Sequence, residues 1–311
     1  MTEDGGYDGC MSEPLVECVP NFSEGRDISK IDAIVEAIRS AGAVILDRTS
    51  DSDHNRSVVT FAAPAGVVAE AAFRAVRQAV ASIDLRTQAG VHPRIGAADV
   101  VPFVPLEGST LEDCIRIARL TGRRVWEELH IPVYLYEAAA LRPQCRNLAE
   151  IRRGNWEGLR EEVLTDPARR PDFGGPALDP SAGAVVIGAR KFLVAFNVNL
   201  ATSDVGIARR IARTVRASSG GLPAVKAMGV LLASRNLAQV SMNLTDFEQT
   251  PVQTAFAAVC AEAARYGVSI DGSELIGLVP KKALESGDVA ALRIENFNPS
   301  MILENRLRER A

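Results

Sequence analysis

The stretch Phe192-Leu193-Val194-Ala195-Phe196-Asn197-Val198-Asn199 decides the fold. Aromatic and β-branched residues alternate through it at Phe192, Val194, Phe196 and Val198, and Asn197 and Asn199 recur two apart, so it reads as a strand with one apolar and one polar face. Asp204 follows as a candidate helix N-cap, ahead of Ile207, Ile211 and Val215 on one helical side. Residues 227–232 and 238–244 read as two strands joined by Ala233-Ser234-Arg235-Asn236-Leu237. A helix over residues 250–266 carries Pro251 in its first turn, and residues 275–279 read as a last strand. The order is βαββαβ.

The preceding half of the chain has the same order, followed by a further helix and strand. Residues 15–19 form a short β-prone run ended by Pro20-Asn21, and Ile28, Ile31, Ile34, Val35 and Ile38 give a helix that Gly42 stops. Strands over 44–46 and 57–62 flank the turn Asp51-Ser52-Asp53-His54-Asn55. A long apolar helix face runs from Val67 to Val80, then come a strand over 99–104, a helix over 111–129 and a strand over 133–136. Two such orders imply an α/β (α+β) protein of two βαββαβ-type subdomains, with mixed sheets facing each other and helices outside. The expected divisions are a disordered tail over 1–13, an N-terminal subdomain over 14–188 and a C-terminal one over 189–311. Met11 is an alternative start. Residues 167–183, rich in Pro, Gly, Asp and Ala, read by composition as a linker.

Composition narrows the function. The 311 residues, 47% hydrophobic and 24% charged, suffice for a sizeable core, and a net charge of -4 argues against a general nucleic-acid binder. No apolar run reaches the ~18 residues of a membrane span, and no secretory signal pattern is present. Five cysteines without a CxxC pair argue against a disulfide framework, so a reducing cytoplasm is expected. The phosphate, dinucleotide, serine-hydrolase and zincin motifs are missing.

With only three histidines, His54, His92 and His130, imidazole chemistry has few homes. Gly90-Val91-His92-Pro93-Arg94-Ile95-Gly96-Ala97 holds His92 in a Gly-flanked loop, where its ring can act as a base at neutral pH or merely cap backbone groups. The turn around Asp51, Asp53, His54, Asn55 and Arg56 is an Asx-turn, a weak metal site or a ligand site in which Arg56 grips a carboxylate. Arg190 and Lys191 can hold an anion or simply open a solvated strand. Asn197 and Asn199, with Ser241 and Asn243, mark a wet sheet face, either a ligand groove or plain surface.

These stretches together resemble the formiminotransferase family. The resemblance rests on Leu15-Val16-Glu17-Cys18-Val19-Pro20-Asn21-Phe22-Ser23-Glu24-Gly25, Asn55-Arg56-Ser57-Val58 and His92-Pro93-Arg94-Ile95-Gly96-Ala97. It continues through Ile131-Pro132-Val133-Tyr134-Leu135-Tyr136, Pro171-Asp172-Phe173-Gly174, Gly188-Ala189-Arg190-Lys191-Phe192 and Asn236-Leu237-Ala238-Gln239-Val240-Ser241. It implies transfer of a formimino group from N-formimino-L-glutamate to N5 of tetrahydrofolate, in histidine catabolism. Tetrahydrofolate is then a co-substrate, with no metal, and the protein is a cytoplasmic homodimer without nucleic-acid or membrane partners. His92 stands at the family's catalytic histidine. The segment Gly174-Gly175-Pro176-Ala177-Leu178-Asp179-Pro180-Ser181-Ala182-Gly183 stands at its folate-contacting stretch, with Gly175 where animal members have proline. The resemblance thus turns the linker into a functional segment, and Asn197 and Asn199 are expected to offer it polar edges. A family aspartate falls at Thr49, so Asp51 or Asp53 is expected to substitute in catalysis. Asn55, Arg56, Arg94, Arg190 and Lys191 are expected to bind substrate. A formyl-handling enzyme acting on 5-formyltetrahydrofolate and glutamate, or a non-catalytic folate-binding protein, is the alternative.

Overall fold

The computed structural model describes residues 13–310 apart from 53, 91, 234 and 286, so the expected tail lies outside it except for Glu13. The chain divides into two compact units, Met1–Arg190 and Lys191–Ala311.

The first unit begins with β1 (Leu15–Cys18) and β2 (Asn21–Phe22), one strand path interrupted at Val19-Pro20. Then follow α1 (Ile28–Arg39), β3 (Val44–Asp51), β4 (Arg56–Pro64), α2 (Ala65–Ser82), β5 (Ala98–Pro105), α3 (Leu111–Leu129) and β6 (Val133–Glu137). Two helices, α4 (Leu148–Ile151) and α5 (Asn155–Thr165), precede β7 (Val185–Ala189). Across the sheet the strands run β3, β4, β1 with β2, β5, β7, β6. The first four positions are antiparallel, and β5–β7 and β7–β6 are parallel.

Local signals explain the helices. The Asp27 carboxylate caps α1 by accepting from Ser29 N at 3.1 Å, and Ile31, Ile34, Val35 and Ile38 are its buried stripe. A capping box of Thr110 and Asp113 starts α3, and left-handed His130 ends it with its ring against Trp126. The faces of α1, α2 and α3 share one core with Val16, Phe22, Phe61 and Phe103. On the opposite side of the parallel end, Ile151, Trp156, Leu159 and Val163 pack on Val100, Tyr134, Tyr136 and Val186. Helices therefore cover both faces there, as parallel strands require. Neither α5 nor β7 was expected. Residues 188–189 lie inside a strand rather than ahead of one, and residues 167–183 are an ordered connection within the first unit.

The second unit has β8 (Val194–Leu200), α6 (Val205–Val215), β9 (Val225–Leu232), β10 (Leu237–Leu244), α7 (Val252–Arg265) and β11 (Ile270–Ile276), then α8 (Lys281–Leu284) and α9 (Leu303–Arg310). Its sheet order is β11, β8, β10, β9, antiparallel at every pairing, so only the first sheet is mixed. Alternate residues Val194, Phe196, Val198 and Leu200 face Ala208, Ile211 and Val215 of α6 and Ala255 and Val259 of α7. The last strand lies at Ile270–Ile276, not at 275–279. Gly277, at φ +76°, turns the chain out of the sheet, and the apolar run beyond it serves instead to bury Val279.

Candidate active site

His92 is carried by the 15-residue connection between α2 and β5, residues 83–97. That connection lies against the β3–β4 hairpin. A Cβ on Gly90 would stand 2.4 Å from the His54 carbonyl oxygen, so only glycine permits the approach. Its other end is stitched to residues 181–184: Leu85 N donates to Ser181 O at 2.8 Å, Ala97 N to Ala182 O at 2.9 Å, and Ala184 N to Ile95 O at 3.0 Å. Gly183, at φ +73°, has room for no Cβ, since one would sit 2.1 Å from Ile95 O. The Asp179 carboxylate closes this turn by accepting from Ser181 N, Ser181 Oγ and Ala182 N. The 174–183 segment and the His92 loop are thus neighbours.

A polar scaffold fixes the loop from below. Buried Glu24 accepts from Arg26 N, Asp27 N, Lys30 Nζ and Gln88 Nε2, the last at 2.8 Å. Asn55, buried and at φ +49°, accepts from Gly25 N at 2.9 Å and donates to Gln88 Oε1 and Ala89 O. Its amide is therefore engaged in joining the β2–α1 connection, the hairpin and the loop. Asparagine tolerates the left-handed backbone that this turn needs.

Arg56 is the first residue of β4 and the hub of the site. Its Nε donates to Asn21 Oδ1 at 3.1 Å, its Nη2 donates to the same oxygen, and its Nη1 lies 3.3 Å from Asp99 Oδ2. The same Nη1 lies 2.7 Å from His92 Nδ1. Asp99 also accepts from Ile95 N at 2.8 Å and from Arg152 Nη2. Between Ala98 and Val100, Asp99 is the extra residue of a bulge opposite Asn21 and Phe22, a device that re-aims one side chain.

Electrostatics follow from this packing. Burial, then the Arg56 and Arg152 charges, pulls the His92 imidazole from 6.5 down to about 4, with Asp99 opposing, so the ring is uncharged at neutral pH. Burial likewise lowers the Arg56 guanidinium to about 10. On the strand beside Asn21, fully buried Glu17 is pushed up to about 7 by desolvation, against the pull of Arg190.

The other expected residues are dispersed. Asp51 accepts from His54 N at 2.8 Å and faces His54 Nδ1 at 2.9 Å, and the His54 and His92 ring centroids are 6.4 Å apart. Asp53 lies outside the described residues. Thr49 is exposed on β3 opposite Val58. Arg94 clasps the loop base, donating to Gln88 O at 2.6 Å and to Glu157 at 3.2 Å. Arg190 closes the first unit beside Glu17 and Tyr136. Lys191 opens the second unit and pairs with Asp246 at 2.6 Å. On β8, Asn199 bonds Glu274, Glu295 and Gln239, while Asn197 Oδ1 accepts from Met242 N at 3.3 Å. Asn21, Glu24, Gln88, Asp99 and Arg152 escaped the sequence reading. Asn21 and Glu24 stood inside a quoted segment, and Asp99 was visible as a carboxylate in an apolar strand, but no local signal marks Gln88 or Arg152.

Comparison with known proteins bears on this site. Residues 15–190 match the family described as formiminotransferase domain, N-terminal subdomain, and residues 195–307 match the formiminotransferase domain. The chain is 47% identical over 299 residues to the glutamate formimidoyltransferase of Thermoplasma acidophilum, covering 96% of this chain and 98% of that protein. It is 45% identical to the glutamate formimidoyltransferase of Streptococcus pyogenes serotype M1, covering 94% and 98%. It is also 45% identical to the formimidoyltransferase-cyclodeaminase of Sus scrofa, covering 94% of this chain and 55% of that protein.

Proposed function

The chain belongs to the formiminotransferase family and is a transferase, and on that premise we propose that it moves the formimino group of N-formimino-L-glutamate to N5 of tetrahydrofolate. The products are 5-formiminotetrahydrofolate and L-glutamate. The observation that carries this reading is the uncharged, half-buried imidazole of His92, held in a loop that the hairpin and residues 181–184 fix on both sides.

The chemistry needs such a group. N5 is a secondary amine that gains a bond to the formimino carbon and must lose its proton. His92 accepts that proton through Nε2, and returns it to the glutamate nitrogen as the carbon–nitrogen bond to glutamate breaks. One base serves both steps, and no proton is left over. The attacked amidine is cationic, which suits a carboxylate rather than an oxyanion hole. Asp51, on the hairpin that also presents His54, is the described carboxylate for this role. Residues 174–183 supply the folate-contacting segment beside the His92 loop. An open depression next to it is lined by Trp156, Leu164 and Leu178 and by charges of both signs, Arg86 and Arg160 with Glu161 and Asp179. The proposed reaction belongs to histidine catabolism, and the proposed compartment is the cytoplasm.

The test is a donor screen with tetrahydrofolate. Formation of 5-formiminotetrahydrofolate from formiminoglutamate, well above any transfer from formylglutamate, is the expected result. Preference for a formyl donor, or folate binding without turnover, would replace this reading.

A further inference from the structure

His92 Nδ1 has one hydrogen-bonding position in the plane of its ring, and two groups claim it. Arg56 Nη1 and Pro93 O each lie 2.7 Å away. A guanidinium can only donate and a carbonyl oxygen can only accept. If Nδ1 carries the proton, it bonds Pro93 O and confronts an N–H of Arg56. If Nδ1 is bare, it accepts from Arg56 and the ring proton sits on Nε2. The two bonds exclude each other.

Burial selects between them. The Arg56 side chain is only 17% exposed, and Asn21 and Asp99 hold it on its other sides. An N–H turned away there is left without a partner, at real cost. Pro93 is exposed, so its oxygen can turn to water instead. We propose that Arg56 is a positioning residue that holds resting His92 with its proton on Nε2, and that a substrate carboxylate drawing on Arg56 frees Nδ1 to bond Pro93 O. The exchange moves one proton from Nε2 to Nδ1 by way of solvent and changes no net charge. It leaves a lone pair on Nε2, the atom that the proposed base mechanism uses, and the inference rests on that reading for its purpose. A carboxylate is the fitting trigger because it meets a guanidinium through paired, charge-assisted bonds, and formiminoglutamate carries two. The other charged groups around the ring are Asp99, Arg152 and, across the hairpin, Asp51 with His54; none of them lies on Nδ1 in the geometry described.

The test reads the tautomer directly and needs no turnover. The full chain is labelled with 15N-histidine, and the three imidazoles are assigned with His54→Gln and His130→Gln. Long-range proton–nitrogen spectra of the free protein at pH 7 are expected to show His92 protonated at Nε2. Arg56→Lys, which still offers a donor, is expected to keep that pattern, whereas Arg56→Met is expected to move the proton to Nδ1. N-formimino-L-glutamate without tetrahydrofolate is expected to do the same in the wild type. An Nδ1-protonated His92 in the free wild type overturns the proposal even if neither variant folds, and an unchanged tautomer with saturating formiminoglutamate overturns the carboxylate trigger. A protein with the expected tautomer but no formimino transfer would instead defeat the proposed function.

Discussion

Each unit builds the same pairing pattern within its own sheet and uses it differently. Each unit puts a strand beginning after a left-handed asparagine, Asn55 or Asn236, against a strand carrying a second asparagine, Asn21 or Asn199. Each then pairs that second asparagine's strand with one bearing a bulge, whose extra residue is aspartate: Asp99 in the first unit and Asp271 in the second. In both, a hairpin arginine reaches the bulged carboxylate, Arg56 at 3.3 Å and Arg235 at 3.2 Å. The difference lies in what surrounds the pair. Fifteen residues connect helix and bulged strand in the first unit, but only residues 266–269 do so in the second. The long connection buries the Arg56–Asp99 pair and brings His92 to it, while Arg235 and Asp271 stay 38% and 41% exposed. The scaffold supplies a polar sheet end twice, and one inserted loop turns a single copy into a candidate active site.

The comparison breaks most sharply at His92. His92→Ala is expected to lower kcat by ~10²- to 10⁴-fold with the fold intact, the usual cost of a lost general base. Arg235→Ala in the second unit is expected to leave kcat near wild type. With the imidazole at about 4, kcat/KM is expected to stay level as pH falls past 6.5 and to drop only toward pH 4, because protonation there removes the base. An acid limb at 6.5 would mean that neither burial nor the Arg56 and Arg152 charges act on the ring.

Next in size is the bulged aspartate. Asp99→Asn strips the charge from between two buried guanidiniums, and breaking such a pair costs about 3–5 kcal/mol in unfolding by denaturant. Asp271→Asn, on a solvated pair, is expected to leave the unfolding midpoint almost unmoved. Equal losses would show that the long loop does not change the pair's surroundings.

Glu17 sharpens the contrast further, since Ala195 occupies its register position in the second unit. The folded carboxyl, raised to about 7, keeps a proton that the unfolded chain gives up near 4.5. Its stabilising contribution is therefore complete below about pH 4.5 and is lost as pH rises through about 7. Wild-type unfolding free energy should fall by roughly 2–3 kcal/mol from this group between pH 5 and 8, and Glu17→Gln should flatten that slope. A slope unchanged by the substitution would place the titration elsewhere.

The smallest expected effect is at Lys191. It is half exposed beside Asp246, so Lys191→Ala should alter stability only slightly, and as a structural ion pair it should leave KM for formiminoglutamate unchanged. A rise in KM would return Lys191 to substrate binding.

Local patterning determined much of this protein. The period-two run at Phe196 and Val198, the helical spacing of Ile31 to Ile38 and the cap at Asp204 are each written in neighbouring residues, so most strands and helices were legible. The family, too, followed from collinear segments, and with it the expectation placed on His92. Weakly patterned elements were not legible: α5 is short and mostly polar, and β7 is a plain apolar run whose parallel partners lie about 50 and 85 residues away. Only the tertiary structure decided that Arg56 belongs to Asn21, Asp99 and His92, that Asn55 is engaged by backbone and Gln88, and that Arg152 reaches across from α4's end. The physical reason is range. Periodicity and capping are settled within a few residues of chain, whereas the charge state and tautomer of His92 depend on burial and on guanidiniums 36 and 60 residues away, which folding alone brings together.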